Sequence, residues 1–199
     1  MTHTVGILLY DEVEVLDFAG PFEVFCTASR LRERQQPGMP PAFNVLTVAE
    51  TITPVRARGG MVVQPQHDII NHPYIDVLIV PGGVHTPQLV RYALIEWIAK
   101  IASTASLTAS VCTGAFLLAQ AGLLDGLKAT THWEDQDDMQ RMYPTVSVLS
   151  EQRWVDSGAV ITSAGISAGI DMSLHIVRRL EGVELAQQTA RQMEFDWQA

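Results

Sequence analysis

Apolar runs of strand length alternate with segments of helical period along most of this chain. Residues 5–10 form a first buried-strand run, residues 43–48 a second strand, residues 75–80 a continuous apolar run and residues 106–111 an apolar, β-leaning one. Runs with no polar alternation are what strands buried on both faces require. Residues 61–64, set off by Gly59-Gly60, predict a shorter strand. Between them the apolar spacing predicts helices over residues 21–32, 89–103 and 115–121, the first with Pro21 at the position a helix start tolerates. A polar helix over 135–142 follows, then short strands at 146–149, 154–155 and 159–162. Asp156-Ser157-Gly158 is the hairpin turn between the last two. Helices over 169–180 and 183–195 close the chain. Strands alternating with helices imply an α/β fold with a largely parallel sheet covered on both faces. No repeat or low-complexity segment divides the chain, and 199 residues suit one domain, 1–199.

Open α/β sheets bind ligands beyond the carboxyl ends of their strands. Three landmarks meet that condition: Asp17 after the first strand, Gly82-Gly83 after the third apolar run, and Cys112 after the fourth. Cys112 is the sharpest. The run 106–111 stops at this residue, and a helical segment opens at Ala115. A nucleophile elbow needs small residues two before and two after the nucleophile, and Ser110 and Gly114 fill those positions. A cysteine so placed stands near the amides that open the next helix, which favours thiolate over thiol. An inert core cysteine is the plain alternative, and the elbow context weighs against it.

Asp17 sits among apolar neighbours just ahead of the first predicted helix. It reads either as a capping residue or as a carboxyl facing Cys112, its pKa raised by partial burial for acid work. Gly82 and Gly83 allow close backbone approach, so their amides can meet a developing anion, or they simply end a strand. The Thr113 amide is a natural oxyanion donor, and its hydroxyl a possible substrate contact. His132, in Thr130-Thr131-His132-Trp133, reads as a pocket residue or as a base for Cys112. Cys26 lies with Phe22 and Phe25 on one helix face and reads as core. Asp171 reads as a helix-terminus partner, and the other histidines show no companions.

Composition narrows the field. Thirteen basic and twenty-two acidic side chains give a formal charge of −9, which repels phosphate backbones and argues against nucleic acid as a partner. Two cysteines make no disulfide framework and fit a reducing compartment. No apolar segment nears the ~20 residues a bilayer span requires, and the N-terminus enters a strand directly. The expectation is a cytoplasmic protein with no membrane partner, acting on a small molecule. Six scattered histidines show no metal-ligand spacing.

With these residues in view, the chain resembles the ThiJ/PfpI superfamily, relatives of class I glutamine amidotransferases, over nearly its whole length. The likeness rests on Leu16-Asp17-Phe18-Ala19-Gly20-Pro21, Val80-Pro81-Gly82-Gly83, Ser110-Val111-Cys112-Thr113-Gly114, Ala129-Thr130-Thr131-His132-Trp133 and the stretch from Thr162 to Asp171. It is strongest towards isocyanide hydratases and the amidase-like sensor domain of AraC-type regulators. The resemblance implies a flavodoxin-like three-layer sandwich, usually a homodimer, with no external cofactor. It implies Cys112 adding to an isocyanide carbon to give a thioimidate, which water converts to an N-substituted formamide, with Asp17 as acid–base partner. The alternatives are a ligand- or redox-sensing domain and a glyoxalase-type enzyme. Thr113 stands where the intracellular-protease branch has histidine, and Asp17 where the glyoxalase branch has glutamate. AraC-type regulators carry a helix-turn-helix region after this domain, and the end of the sequence at Ala199 leads to the expectation that this chain is not one.

Overall fold

The computed structural model describes residues 1–197. Its core is a seven-stranded sheet. In chain order the main-sheet strands are β1 (His3–Leu9), β2 (Phe43–Ala49), then, after the hairpin of β3 (Val55–Arg56) and β4 (Val62–Val63), β5 (His67–Asp68) and β6 (Val77–Val80). They continue with β7 (Leu107–Val111) and, after the separate pair β8 (Lys128–Ala129) and β9 (Ser147–Val148), with β10 (Trp154–Asp156) and β11 (Val160–Ser163). The order across the sheet is β10-β11-β7-β6-β1-β2-β5, parallel throughout except for the edge pairing of β10 with β11. Three of the apolar runs become the central strands β1, β6 and β7, in which all but the first two residues of β1 are buried.

The helices are α1 (Val15–Gln35), α2 (Tyr92–Ala102), α3 (Gly114–Gln120), α4 (Gln136–Met142), α5 (Ala168–Glu181) and α6 (Val183–Gln192). α1, α5 and α6 pack together in one layer, while α2 and α3 pack against each other in another. The mixed fold with a mostly parallel sheet flanked by helices is therefore the one the hydrophobic pattern predicts.

The last helix ends at Gln192 and not at 195, and the strand expected from 75 starts at Val77. Four larger differences matter more. α1 starts at Val15, not at 21, so Pro21 lies inside the helix. Proline has no amide for the Asp17 carbonyl four residues earlier, yet the helix continues because its apolar face is buried at Phe18, Val24, Phe25 and Ala28. The expected helix 89–103 is split into a tight turn, Thr86–Val90, and α2. The strand at 61–64 is half of the β3–β4 hairpin, outside the main sheet. The strand at 146–149 is β9, paired in parallel with β8 away from that sheet.

Candidate active site

The parallel strands all deliver their carboxyl ends to one edge. β7 ends at Val111, and the next residue, Cys112, takes φ +56°, a left-handed conformation unusual for a residue with a Cβ. The surrounding backbone holds it there. Its amide donates to the carbonyls of Ser163 and Ala164, both at 3.2 Å. Its carbonyl accepts from the Thr131 hydroxyl at 2.9 Å. The glycine after the elbow and the one in the turn facing it are required by packing. A Cβ on Gly114 would stand 2.0 Å from the Val80 carbonyl oxygen, and one on Gly82 would stand 2.6 Å from the Thr113 amide nitrogen.

Asp17 occupies the first turn of α1 and is wholly buried. Its Oδ2 accepts from the Gly82 amide at 3.0 Å. Its Oδ1 has no partner of good hydrogen-bond geometry among the described residues, although the Cys112 thiol lies near enough to draw its pKa down. Burial pushes the Asp17 carboxyl up to about 7, with Glu14 adding to it. The Gly82 amide, the Cys112 thiol and the Ile166 amide pull the other way.

Cys112 is pushed up to about 12, first by burial and next by the Asp17 charge. The amides of Thr113 and Ile166 oppose this without prevailing. The expected preference for thiolate is therefore overturned. The elbow amides are in place, but an adjacent buried carboxyl and the loss of water outweigh them, and α3 is only seven residues long.

The remaining expected site residues fall close by. Gly82 and Gly83 follow β6, and Gly83 has φ +138°. Both amides already have acceptors: Gly82 bonds Asp17, and Gly83 bonds Thr113 Oγ1 at 3.0 Å. The Thr113 hydroxyl lies 3.0 Å from the Gly83 carbonyl as well, so it clasps that turn. Gly83, Cys112, Thr113 and His132 all line one open cleft of about 330 Å³. Asp17 is not on its wall and lies behind the sulfur. His132 has Nδ1 at 3.4 Å from Asp135 Oδ2 and its Cδ2 edge against Gly165, where a Cβ would clash at 2.2 Å.

Sequence reasoning missed several neighbours. Glu14, Arg58, His85 and Asp135 line the same cleft. His85, which seemed without companions, stacks on Phe116 with ring centroids 4.4 Å apart, and burial holds its pKa down. Its place three residues after Gly82 was the available signal. Ile166 sits at φ +49° with its amide directed to the Asp17–Cys112 pair. Cys26 is half-buried on α1. Asp171 is paired with Arg153, as a structural role requires. Among the described residues no helix is long and apolar enough to cross a membrane, and no group of three metal-ligating side chains is assembled.

A parallel α/β sandwich with a strained cysteine at its strand-to-helix elbow, backed by a buried acid, defines the class. The chain belongs to the DJ-1/PfpI family, whose model matches residues 3–179. It is 33% identical over 197 residues to isonitrile hydratase of Pseudomonas putida, covering 98% of this chain and 79% of that protein. It is 31% identical over 183 residues to the HTH-type transcriptional regulator GbdR of Pseudomonas aeruginosa, covering 92% of this chain but only 48% of the regulator. Among solved structures, a ThiJ/PfpI family protein from Pseudomonas syringae superposes with a TM-score of 0.84 at 27% identity, over 100% of this chain and 77% of that one. Drosophila melanogaster DJ-1beta shares the fold, with a TM-score of 0.82 at 18% identity over 99% of this chain and 100% of its own.

Proposed function

We propose that this chain is a cysteine-dependent lyase that hydrates small isocyanides to N-substituted formamides. The observation that carries the reading is a fully buried Asp17 beside Cys112, its carboxyl held near neutrality. Addition to an isocyanide puts both a nucleophile and a proton on one carbon, and this pair supplies both. Cys112 rests as a thiol. As Sγ bonds the terminal isocyanide carbon, the thiol proton leaves through Asp17 and a proton is delivered to that carbon, giving a thioimidate. Water arriving by the open cleft then adds to the same carbon. The Sγ–C bond breaks, sulfur recovers a proton, and the formamide leaves. The balance is one isocyanide and one water in, one formamide out, with no other reactant.

The likeness to isonitrile hydratase along almost the whole chain supports this reading. The likeness to GbdR favours a second one, a ligand- or redox-sensing domain. The buried acid beside the thiol supplies the proton transfer that hydration needs and that sensing alone does not require, which supports the enzyme. The glyoxalase-type alternative is weaker, with Asp17 in place of the longer glutamate. We expect the working unit to be a homodimer, which sedimentation equilibrium checks.

The test is formamide formation from a small alkyl or aryl isocyanide by wild type and Cys112→Ala. Turnover in the wild type and its loss in a folded variant is expected. Equal rates in the two, or none in reduced wild type, would remove the covalent hydratase mechanism. In the latter case, peroxide-induced mass shifts at Cys112 would test the sensing alternative.

A further inference from the structure

The cleft in front of Cys112 is unevenly charged. Glu14, Glu134 and Asp135 line it, against a single guanidinium, Arg58. Arg58 already has a partner, with Nη1 at 3.3 Å from Glu14 Oε2, and its backbone amide is tied to the Val13 carbonyl at 2.9 Å. The other two acids share one imidazole: His132 Nδ1 lies 3.4 Å from Asp135 Oδ2 and 3.7 Å from Glu134 Oε2. A histidine balances at most one carboxylate, and only when protonated. His85 stacks on Phe116 and is held towards its neutral form by burial, so it adds little counter-charge.

The group behind the sulfur is acidic as well. Asp17 is wholly buried near the Cys112 thiol, and its Oδ1 has no hydrogen-bond partner among the described residues. Cys112 thus feels Asp17 from behind and Asp135 from the cleft, and both disfavour negative charge there.

Resting on addition at Cys112 as proposed above, we infer that the cleft selects substrates carrying a cationic substituent, of the alkylammonium class, and excludes those carrying a carboxylate. An ammonium arm entering the cleft meets Glu134 and Asp135, which one imidazole leaves under-neutralised. A carboxylate arm would have to take Arg58 from Glu14 and leave that acid uncompensated. Glu134 and Asp135 are therefore the specificity-determining residues, and Arg58 the competing one.

Two thiol reagents of matched length and opposite charge, 2-aminoethyl and 2-sulfonatoethyl methanethiosulfonate, test this on the full chain without isocyanide turnover. Each forms a mixed disulfide with the thiol and releases methanesulfinate and a proton. Peptide-resolved mass spectrometry separates Cys112 from Cys26, and rates are normalised to a free thiol. The expected preference for the cationic reagent is about tenfold. It should shrink several-fold in Asp135→Asn and Glu134→Gln, and near 1 M salt, where screening length falls to about 3 Å. Arg58→Gln should enlarge it. Equal normalised rates, or faster labelling by the anion, overturn the inference. Parallel assays with ammonium- and carboxylate-bearing isocyanides separate the two proposals. A charge preference in labelling without any turnover defeats the hydratase reading alone, and turnover indifferent to substituent charge defeats the selectivity alone.

Discussion

Replacing Asp17 by asparagine removes the charge that, after burial, does most to keep the Cys112 thiol protonated. The two readouts should move in opposite directions. Alkylation of Cys112 by neutral iodoacetamide near pH 8 should accelerate several-fold, since more thiolate is present. Isocyanide hydration should fall by about a hundredfold or more, because the proton donor is gone. A variant that loses both, while folded, would make Asp17 a packing residue. The pH dependence follows from the same carboxyl. With Asp17 at about 7, the carboxylate that takes up the thiol proton is lost below neutrality, so turnover should decline as pH falls through about 7. Stability carries the matching sign. A carboxyl raised from 3.8 to about 7 on folding contributes most at low pH, and that contribution is lost as pH rises through about 7. Asp17→Asn escapes this loss, so its melting temperature should gain on wild type between pH 4 and pH 8. An unchanged difference would mean that Asp17 titrates normally.

The strand–elbow–helix element depends on an approach closer than any side chain permits. Gly114→Ala would place a Cβ against the Val80 carbonyl oxygen and Pro81, both backbone, so α3 must move off β6. A destabilisation of about 2 kcal/mol or more is expected in urea unfolding, at the level of core overpacking. A change below about 0.5 kcal/mol, the level of a neutral surface substitution, would show that the helix shifts freely. This element was legible in advance, because the apolar run of β7, the small flanks and the helical period after Cys112 all agree. The start of α1 was not legible. Pro21 is a strong local signal for a helix start, yet burial of Phe18 and the residues beyond it carries the helix through, and so places Asp17 inside the first turn. Two-residue strands such as β5 and β8 offer no period to read. The far wall of the cleft was hidden for another reason: Arg58 and Asp135 lie on separate loops that only tertiary packing brings to Cys112.

Across the molecule, the helical layer is tied to itself by a nearly buried ion pair. Arg32 near the end of α1 meets Glu181 at the end of α5, both side chains largely out of solvent, with His3 of β1 3.6 Å from the same carboxylate. Arg32→Ala leaves Glu181 buried and poorly compensated and should cost about 3 kcal/mol. The double variant Arg32→Met/Glu181→Leu should recover most of that in thermal unfolding. A loss under about 1 kcal/mol for the single variant would place the pair with ordinary surface bridges. This contact and the site occupy different parts of the fold, so stability and chemistry are separately adjustable. The tight glycines around the elbow carry that separation into descent. Gly82 and Gly114 hold the backbone by leaving room for it, whereas Cys112 is held by its own backbone amide and carbonyl and not by its sulfur. A lineage can therefore replace this cysteine in one substitution and keep the architecture, while a side chain at either glycine strains the elbow itself. Descendants of such a chain would diverge in chemistry before they diverge in shape.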